Sequence, residues 1–433
     1  KESILPLKSE LIQRLKNKYY SSMHLIQILL ILSIILFTFF VSFDSNINQL
    51  ILKIMFPLWL LSLNFKKIVY FFRNEQLFFI IIIFSLWILI TCLITLNFEY
   101  SFERYLKYFL IPVIIISTSI KKENINYIIS AFLLGMFINE IVSYGIYFEI
   151  IRSQIFGFDI VGNKHNPVPF LPSHMEYTLF LSLSIILSIF SFFNVNKKII
   201  KIILSIFILT MVTNLLLTTG RTGQFTLLGA LIILSIIYFR HNYKYILLSF
   251  ITIFIIFIMA FFFSNNTNER IKKAYSDIVN VINNKDYNTS LGVRLSSYIL
   301  IPKIIENEKF NILYGTGYSN LNEVIHQIHI KEFGDDSIFK IQEGHLHNSY
   351  ITIFAGTGII GFILFMLIWY KIFKIEIKDM YINYVRYSFL FILFLGGFTE
   401  NMFRQKEVMM LGAIFISIII YVAIRNYEEK TNE

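Results

Sequence analysis

Apolar runs of about membrane-spanning length recur along nearly the whole chain. About 20 uncharged apolar residues cross a bilayer as a helix, because lipid leaves every backbone N–H and C=O to be satisfied within the segment. The pattern predicts about twelve spans, at roughly 23–43, 47–65, 77–96, 104–120, 125–150, 175–193, 199–218, 221–239, 245–264, 349–370, 383–399 and 407–424. The run at 47–65 is the weakest, since Lys53 and Pro57 interrupt it. Two longer polar connections break the rhythm. One, 151–174, is rich in proline; the other is 265–348. The second has helical patterning over Glu269–Asn283 and Arg294–Glu308, separated by Asn- and Gly-rich turns, with Pro302 placed to kink or restart the latter. The expected fold is an all-α polytopic membrane protein, with a large, partly helical loop between the ninth and tenth spans. It divides the chain into 1–264, 265–348 and 349–433.

Charge then orients the spans. Basic residues cluster before the first run (Lys8, Arg14, Lys16, Lys18) and in every second connection: Lys66, Lys67 and Arg73; Lys121 and Lys122; Lys197 and Lys198; Arg240 and Lys244; Lys371, Lys374 and Lys378. Arg425 and Lys430 follow the last run. Cytoplasmic loops carry the excess of Lys and Arg, so both termini are expected inside, with the first run acting as a signal-anchor. The large loop then lies outside, and its nine Lys or Arg against ten Asp or Glu do not make it a basic tail.

Composition agrees with a membrane protein: 56% of residues are hydrophobic and 15% charged, where soluble domains carry about 25% charge. The net charge of +10 is accounted for by the inner connections and does not signal nucleic acid, for which the chain has no motif. The lone Cys92 excludes an intrachain disulfide and makes thiolate-metal chemistry an unattractive reading.

Candidate chemistry collects on the outer side. Six of the eight histidines fall in outer connections: His165, His174, His326, His329, His345 and His347. Outer loops are the available polar surface, so most of these need no role. His347 differs, because it stands beside Asn348 at the mouth of a span and a histidine there can act as a general base near neutral pH. Arg221, in Thr218-Thr219-Gly220-Arg221-Thr222-Gly223, faces outward and adds nothing to the positive-inside bias. It is either an interfacial snorkelling side chain or a fixed guanidinium that holds phosphate oxygens in bidentate fashion. Its flanking glycines permit close approach by a ligand or by another helix. Arg294 opens the second helical stretch of the loop. Asn139 and Glu140 form an intramembrane polar pair, and Glu400, Asn401 and Arg404 lie at the outer end of the eleventh span. The Gly315-x-Gly317 turn is too weak a signal to be assigned a phosphate cradle. His345-x-His347 and His326-x-x-His329 lack a trustworthy zinc spacing, so no metal or other cofactor is expected.

Arg221, Arg294 and His347 in that order, with His347-Asn348, nine residues, Gly358, two residues and Gly361, resemble the O-antigen ligase and polysaccharide polymerase superfamily of bacterial inner membranes. The motif agreement covers roughly residues 200–370, and the topology agrees over the whole chain. The resemblance implies a GT-C-like fold and metal-independent, inverting glycosyl transfer on the periplasmic face. The donor would be a glycan on undecaprenyl diphosphate, and the acceptor a lipid A–core sugar hydroxyl (ligase) or a second lipid-linked glycan (polymerase). It implies His347 as the base and Arg221 and Arg294 as partners of the departing diphosphate. Asn348 would orient the sugar or the imidazole. Gly358 and Gly361 would let helices pack closely and hold the His347 end rigid, with Glu400 and Arg404 lining the same mouth. The His-x-His-Asn spelling and the arginine spacing favour ligase over polymerase. A lipid-linked-glycan flippase is the contrasting reading, opposed by the lopsided outer loop and the outward Arg and His residues. A transferase of glycans to protein hydroxyls is a further alternative.

Overall fold

The computed structural model describes residues 4–98, 101–155, 157–251, 265–284, 290–333 and 346–432. The first part of the chain forms α1 (Ile4–Phe40), α2 (Ser45–Leu61), α3 (Lys67–Asn74), α4 (Gln76–Thr95), α5 (Ser101–Tyr105), α6 (Ile111–Ser119) and α7 (Lys122–Tyr147). A short antiparallel hairpin of β1 (Gln154–Ile155) and β2 (Phe158–Asp159) follows. Then come α8 (His174–Asn194), α9 (Lys198–Leu217), α10 (Arg221–Phe239) and a helical stretch α11 (243–251). The remaining helices are α12 (Asn265–Asn284), α13 (Ser290–Ile305), α14 (Leu321–Phe333), α15 (Ser349–Lys374), α16 (Met380–Gly396) and α17 (Lys406–Asn432).

Eight of the described helices are long and apolar enough to cross a membrane, and α16 is a shorter apolar helix. The chain is a polytopic helical membrane protein. Two of the expected runs have a different form. The run at 47–65 is not one helix: α2 ends at Leu61, the chain turns through left-handed Leu63, and a second helical piece runs over Asn64–Asn74 at 73° to the first. Counted as one broken span, this pair makes a ninth. The run at 104–120 is α5, a π-helical step at Leu106–Leu110, and α6. Pro112 near the start of α6 has no N–H and its ring displaces the carbonyl one turn back, so the widened step absorbs the misfit. Most of the run at 245–264 lies outside the described residues.

Burial separates axis from rim. Of the most apolar window, 94% is buried in α17 and 72% in α8, against 22% in α9. Thus α17 and α8 form the centre and α9 presents its side chains to lipid. Small residues set the close contacts, as expected where lipid removes any hydrophobic drive between helices. Gly220 and Gly223 of the α9–α10 turn press on Thr178 of α8, and Ser182 Oγ donates to Gly223 O at 2.8 Å. Of the two uses open to these glycines, the structure shows the approach of another helix.

Hydrogen bonds between helix termini sort the bundle into two ends. At one, Lys122 N donates to Tyr421 Oη, Asn426 Nδ2 to Glu376 O, and Lys67 Nζ to Thr118 O. The basic connections gather here. At the other, the start of α15 meets the α16–α17 loop and the start of α10 meets the start of α8. Helices α13 and α14 lie over this second end with a core of their own. Leu300, Ile304, Leu321, Val324, Ile325 and Ile328 enclose Leu346, the residue before His347. The helix expected over Arg294–Glu308 is observed as Ser290–Ile305, with Pro302 inside it.

Gly358 joins this outer layer to the bundle in a way that helix packing does not describe. It breaks α15, with φ 68° and ψ −169°. The break releases backbone groups that the segment between α13 and α14 takes up: Ile359 N donates to Ile312 O at 2.8 Å, and Thr316 N to Ala355 O at 2.9 Å. Trp87 Nε1 on α4 donates to Thr357 O at 2.9 Å. A Cβ at 358 would overlap the Leu313 carbonyl and Tyr314 N, so what approaches Gly358 is loop backbone and not a helix. Gly315 and Gly317, both at positive φ, make the facing turn, so this Gly-x-Gly serves docking. Gly361 does face a helix, through Trp87.

Gly358→Ala is therefore expected to lower the thermal midpoint of detergent-solubilised protein and open the segment before α14 to protease. A backbone at φ 68° and ψ −169° is reached essentially by glycine alone and costs another residue about 1–3 kcal/mol, and the overlap adds to it. An unchanged midpoint with a wild-type digestion pattern would show that the break tolerates a side chain.

Candidate active site

The site forms where three separate parts of the chain meet at the end of the bundle opposite the basic connections. Asn348 starts α15 as its N-cap, its Oδ1 accepting from Tyr350 N at 2.9 Å and Ile351 N at 3.0 Å. This satisfies two of the orphan amides that every helix start carries. Its Nδ2 donates to Phe398 O at 3.3 Å and Tyr298 Oη at 3.4 Å. The bonds of Asn348 thus go to the helix start, the α16–α17 loop and α13, and hold the His347 backbone in place.

Ser349 fixes the loop that carries the acid. Its N donates to Gly397 O at 2.8 Å, its Oγ donates to Glu400 O at 2.9 Å, and Met402 N donates to its Oγ at 2.8 Å. Tyr350 closes the arrangement, its Oη donating to Phe394 O at 2.6 Å and its ring lying 4.5 Å from that of Phe398.

Glu400 is the centre of the site. Its carboxylate is 2% exposed and bridges two side chains. Arg294 Nη2 donates to Oε1 at 2.7 Å, and His347 Nδ1 lies 2.9 Å from Oε2. Arg294 Nε also donates to Thr399 O at 3.2 Å. A carboxylate at such burial needs cationic or hydrogen-bonding partners, and here it has both. Arg294 and His347 keep 24% and 18% exposure, so solvent reaches them while the acid between them stays dry. Because a carboxylate only accepts, Nδ1 of His347 carries a proton toward Glu400, and Nε2 lies on the opposite edge of the ring.

Arg221 stands nearby without touching this triad. It is the first residue of α10, and the adjacent Thr222 Oγ1 accepts from Thr399 Oγ1 at 3.4 Å. Thr399 in turn holds Arg294, so two hydrogen bonds separate the two arginine elements. Arg404 closes a turn through its N to Asn401 O, and its own carbonyl lies 3.5 Å from Arg104 Nη1. Gly358 and Gly361 lie two to three turns along α15 and act through the backbone. His345 lies outside the described residues. Asn139 belongs to a separate buried contact, with Ser42 Oγ at 3.1 Å.

Sequence reasoning did not find Thr399, Ser349 or Tyr298. Thr399 and Tyr298 give no sequence signal, since one acts through its carbonyl and the other is one tyrosine among many. Ser349 had a signal in its place at the first turn beside Asn348.

These observations define a class: a polytopic helical membrane protein with an Arg–Glu–His cluster at the mouth of the bundle, roofed by a small helical layer. A family model described as O-antigen ligase matches residues 206–366. That part of the chain is similar to the O-antigen ligase superfamily, whose members are membrane enzymes of glycosyltransferase type. No curated protein matches the chain significantly. The matched segment contains Arg221, Arg294, His347, Asn348, Gly358 and Gly361, whereas Glu400 and Arg404 lie beyond it.

Proposed function

We propose that the protein is a metal-independent glycosyltransferase of ligase type. It moves a glycan from undecaprenyl diphosphate to the hydroxyl of a lipid A–core sugar at the periplasmic face of the bacterial inner membrane. The observation that carries this reading is Glu400 holding Arg294 and His347 side by side at the outer mouth. A transfer of this kind needs a base for the incoming hydroxyl and cations for the outgoing diphosphate, within one small volume.

The step balances with these groups. The acceptor hydroxyl attacks the anomeric carbon, its proton passes to His347 Nε2, the new C–O bond forms, and the bond from that carbon to the phosphate oxygen breaks. The lipid diphosphate leaves with the electron pair. Arg294, with Arg221 from the adjacent helix start, offsets the charge that develops on it. Glu400 keeps imidazole in the correct tautomer and stabilises the imidazolium that forms, the part a carboxylate plays behind a histidine base in general. Topology supports the location: basic connections gather at the opposite end of the bundle, which the positive-inside rule assigns to the cytoplasm.

Purified protein given lipid-linked glycan is expected to transfer it to lipid A–core and not to a second lipid-linked glycan. In cells, deletion is expected to leave lipid-linked polymer unattached. Core bearing a single repeat after deletion would identify a polymerase instead, and no transfer to either acceptor would overturn the reading.

A further inference from the structure

A cavity of about 410 Å³ lies at the end of the bundle away from His347. It opens between α1, the turn leading into α3, and the α6–α7 junction. Its size falls within the range of ligand pockets, about 300–1,000 Å³. One part is polar: His24, Lys67, Lys121, Asn124 and the Glu123 carboxylate line it, and Glu428 is near enough to act on Lys67. Lys67 Nζ donates to Thr118 O at 2.9 Å, which holds the ammonium at the wall with one of its three donors engaged. Lys121 is the N-cap of α7, so the positive end of that helix adds to the local potential. The other part is apolar. His24, Ile28 and Leu32 follow one another at four-residue spacing along one face of α1, with Ile35 beside them. Ile28 and Leu32 are 49% and 50% exposed, so the stripe continues from the cationic part onto the lipid-facing surface.

This combination selects its occupant. A soluble anion would use the lysines and make no use of the apolar stripe. A zwitterionic lipid would fill the stripe and gain little from two ammonium groups. Next to the cavity, the bend between α2 and α3 turns the chain by 73°, as suits a segment lying at headgroup depth. We propose that the cavity binds an anionic phospholipid, its phosphate on Lys67 and Lys121 and an acyl chain along Ile28, Leu32 and Ile35. The site is independent of the glycosyl-transfer chemistry.

Native mass spectrometry of the full-length protein, titrated in detergent with phosphatidylglycerol or phosphatidylcholine, tests this. Phosphatidylglycerol is expected to bind more tightly. A basic side chain near an anionic headgroup is worth about fivefold in affinity, so Lys121→Gln should weaken phosphatidylglycerol about fivefold and Lys67→Gln with Lys121→Gln about thirtyfold. Lys122→Gln, outside the cavity, should bind as wild type. Leu32→Trp, which fills the apolar part, should weaken the lipid and leave the thermal midpoint unchanged. Lys121 is exposed, so its single substitution keeps the test valid if the double variant is unstable. Equal binding of the two lipids, wild-type affinity in Lys121→Gln, or displacement of the lipid by glycerol 3-phosphate at matched concentration would overturn the proposal. The last result would identify a site for a soluble phosphate.

Discussion

Replacing His347 with alanine lowers glycosyl transfer by about 10²–10⁴-fold, the usual worth of a positioned general base, and leaves donor affinity nearly unchanged. The two effects separate because His347 works on the acceptor proton, whereas the donor diphosphate is held by arginine. Arg294→Ala gives the contrasting result. It removes a charge-assisted contact worth about 1.5–3 kcal/mol, on the order of 10–100-fold in rate or affinity, and it weakens binding and transfer together. Measuring donor binding by lipid-linked glycan titration beside single-turnover transfer distinguishes them. A His347→Ala protein that still made full-length glycoconjugate in cells lacking the native enzyme would remove the base assignment. Loss of donor binding in the same variant would instead make His347 a donor ligand.

The sequence pattern went far toward the membrane helices, because lipid leaves little choice of backbone structure and the basic connections mark one end. It did not show where helices break. The bend after Leu61 depends on a left-handed leucine, and the π-step accommodates Pro112; neither has a hydropathy signature. The site was legible where one residue type had no reason to be in its place: His347 at a span mouth, Arg294 and Arg221 outside. Glu400 was visible as a polar residue at a span end, but not as the residue that brings Arg294 and His347 together. That pairing spans 106 and 53 residues of sequence and exists only in the fold.

The His347-Asn348-x9-Gly358-x2-Gly361 spacing acquires a structural meaning from these contacts. His347 carries the proposed chemistry and Asn348 caps the helix that presents it. Gly358 opens that helix so that the outer layer docks onto it through backbone hydrogen bonds, and Gly361 admits Trp87. Since α13 in the same outer layer carries Arg294, the docking at Gly358 also helps to set the distance between Arg294 and His347. One run of 15 residues along α15 thus links the base, its cap and the seating of the arginine.

Glu400→Gln is the sharper test of the cluster, because it changes charge and hydrogen-bonding sense with almost no change in shape. The carboxylate accepts on both oxygens, from Arg294 on one and His347 on the other. A carboxamide has one acceptor and one donor group, so it cannot serve both neighbours. If its oxygen faces Arg294, its NH₂ points at His347 Nδ1, the imidazole proton moves to Nε2, and the base is lost. If its oxygen faces His347, its NH₂ meets the guanidinium, donor against donor. Turnover is expected to fall by about 10²–10⁴-fold, as when a histidine base loses its orienting carboxylate. Arg294, released from a competing anion, should bind the donor diphosphate at least as well as before, so KM for donor stays level or drops while kcat collapses. Glu400→Asp keeps both acceptors on a shorter arm and should recover part of the rate, which a purely structural role for Glu400 would not predict. Glu400→Gln turning over within a few-fold of wild type, or losing donor affinity and rate in equal measure, would show that the carboxylate does not position the base.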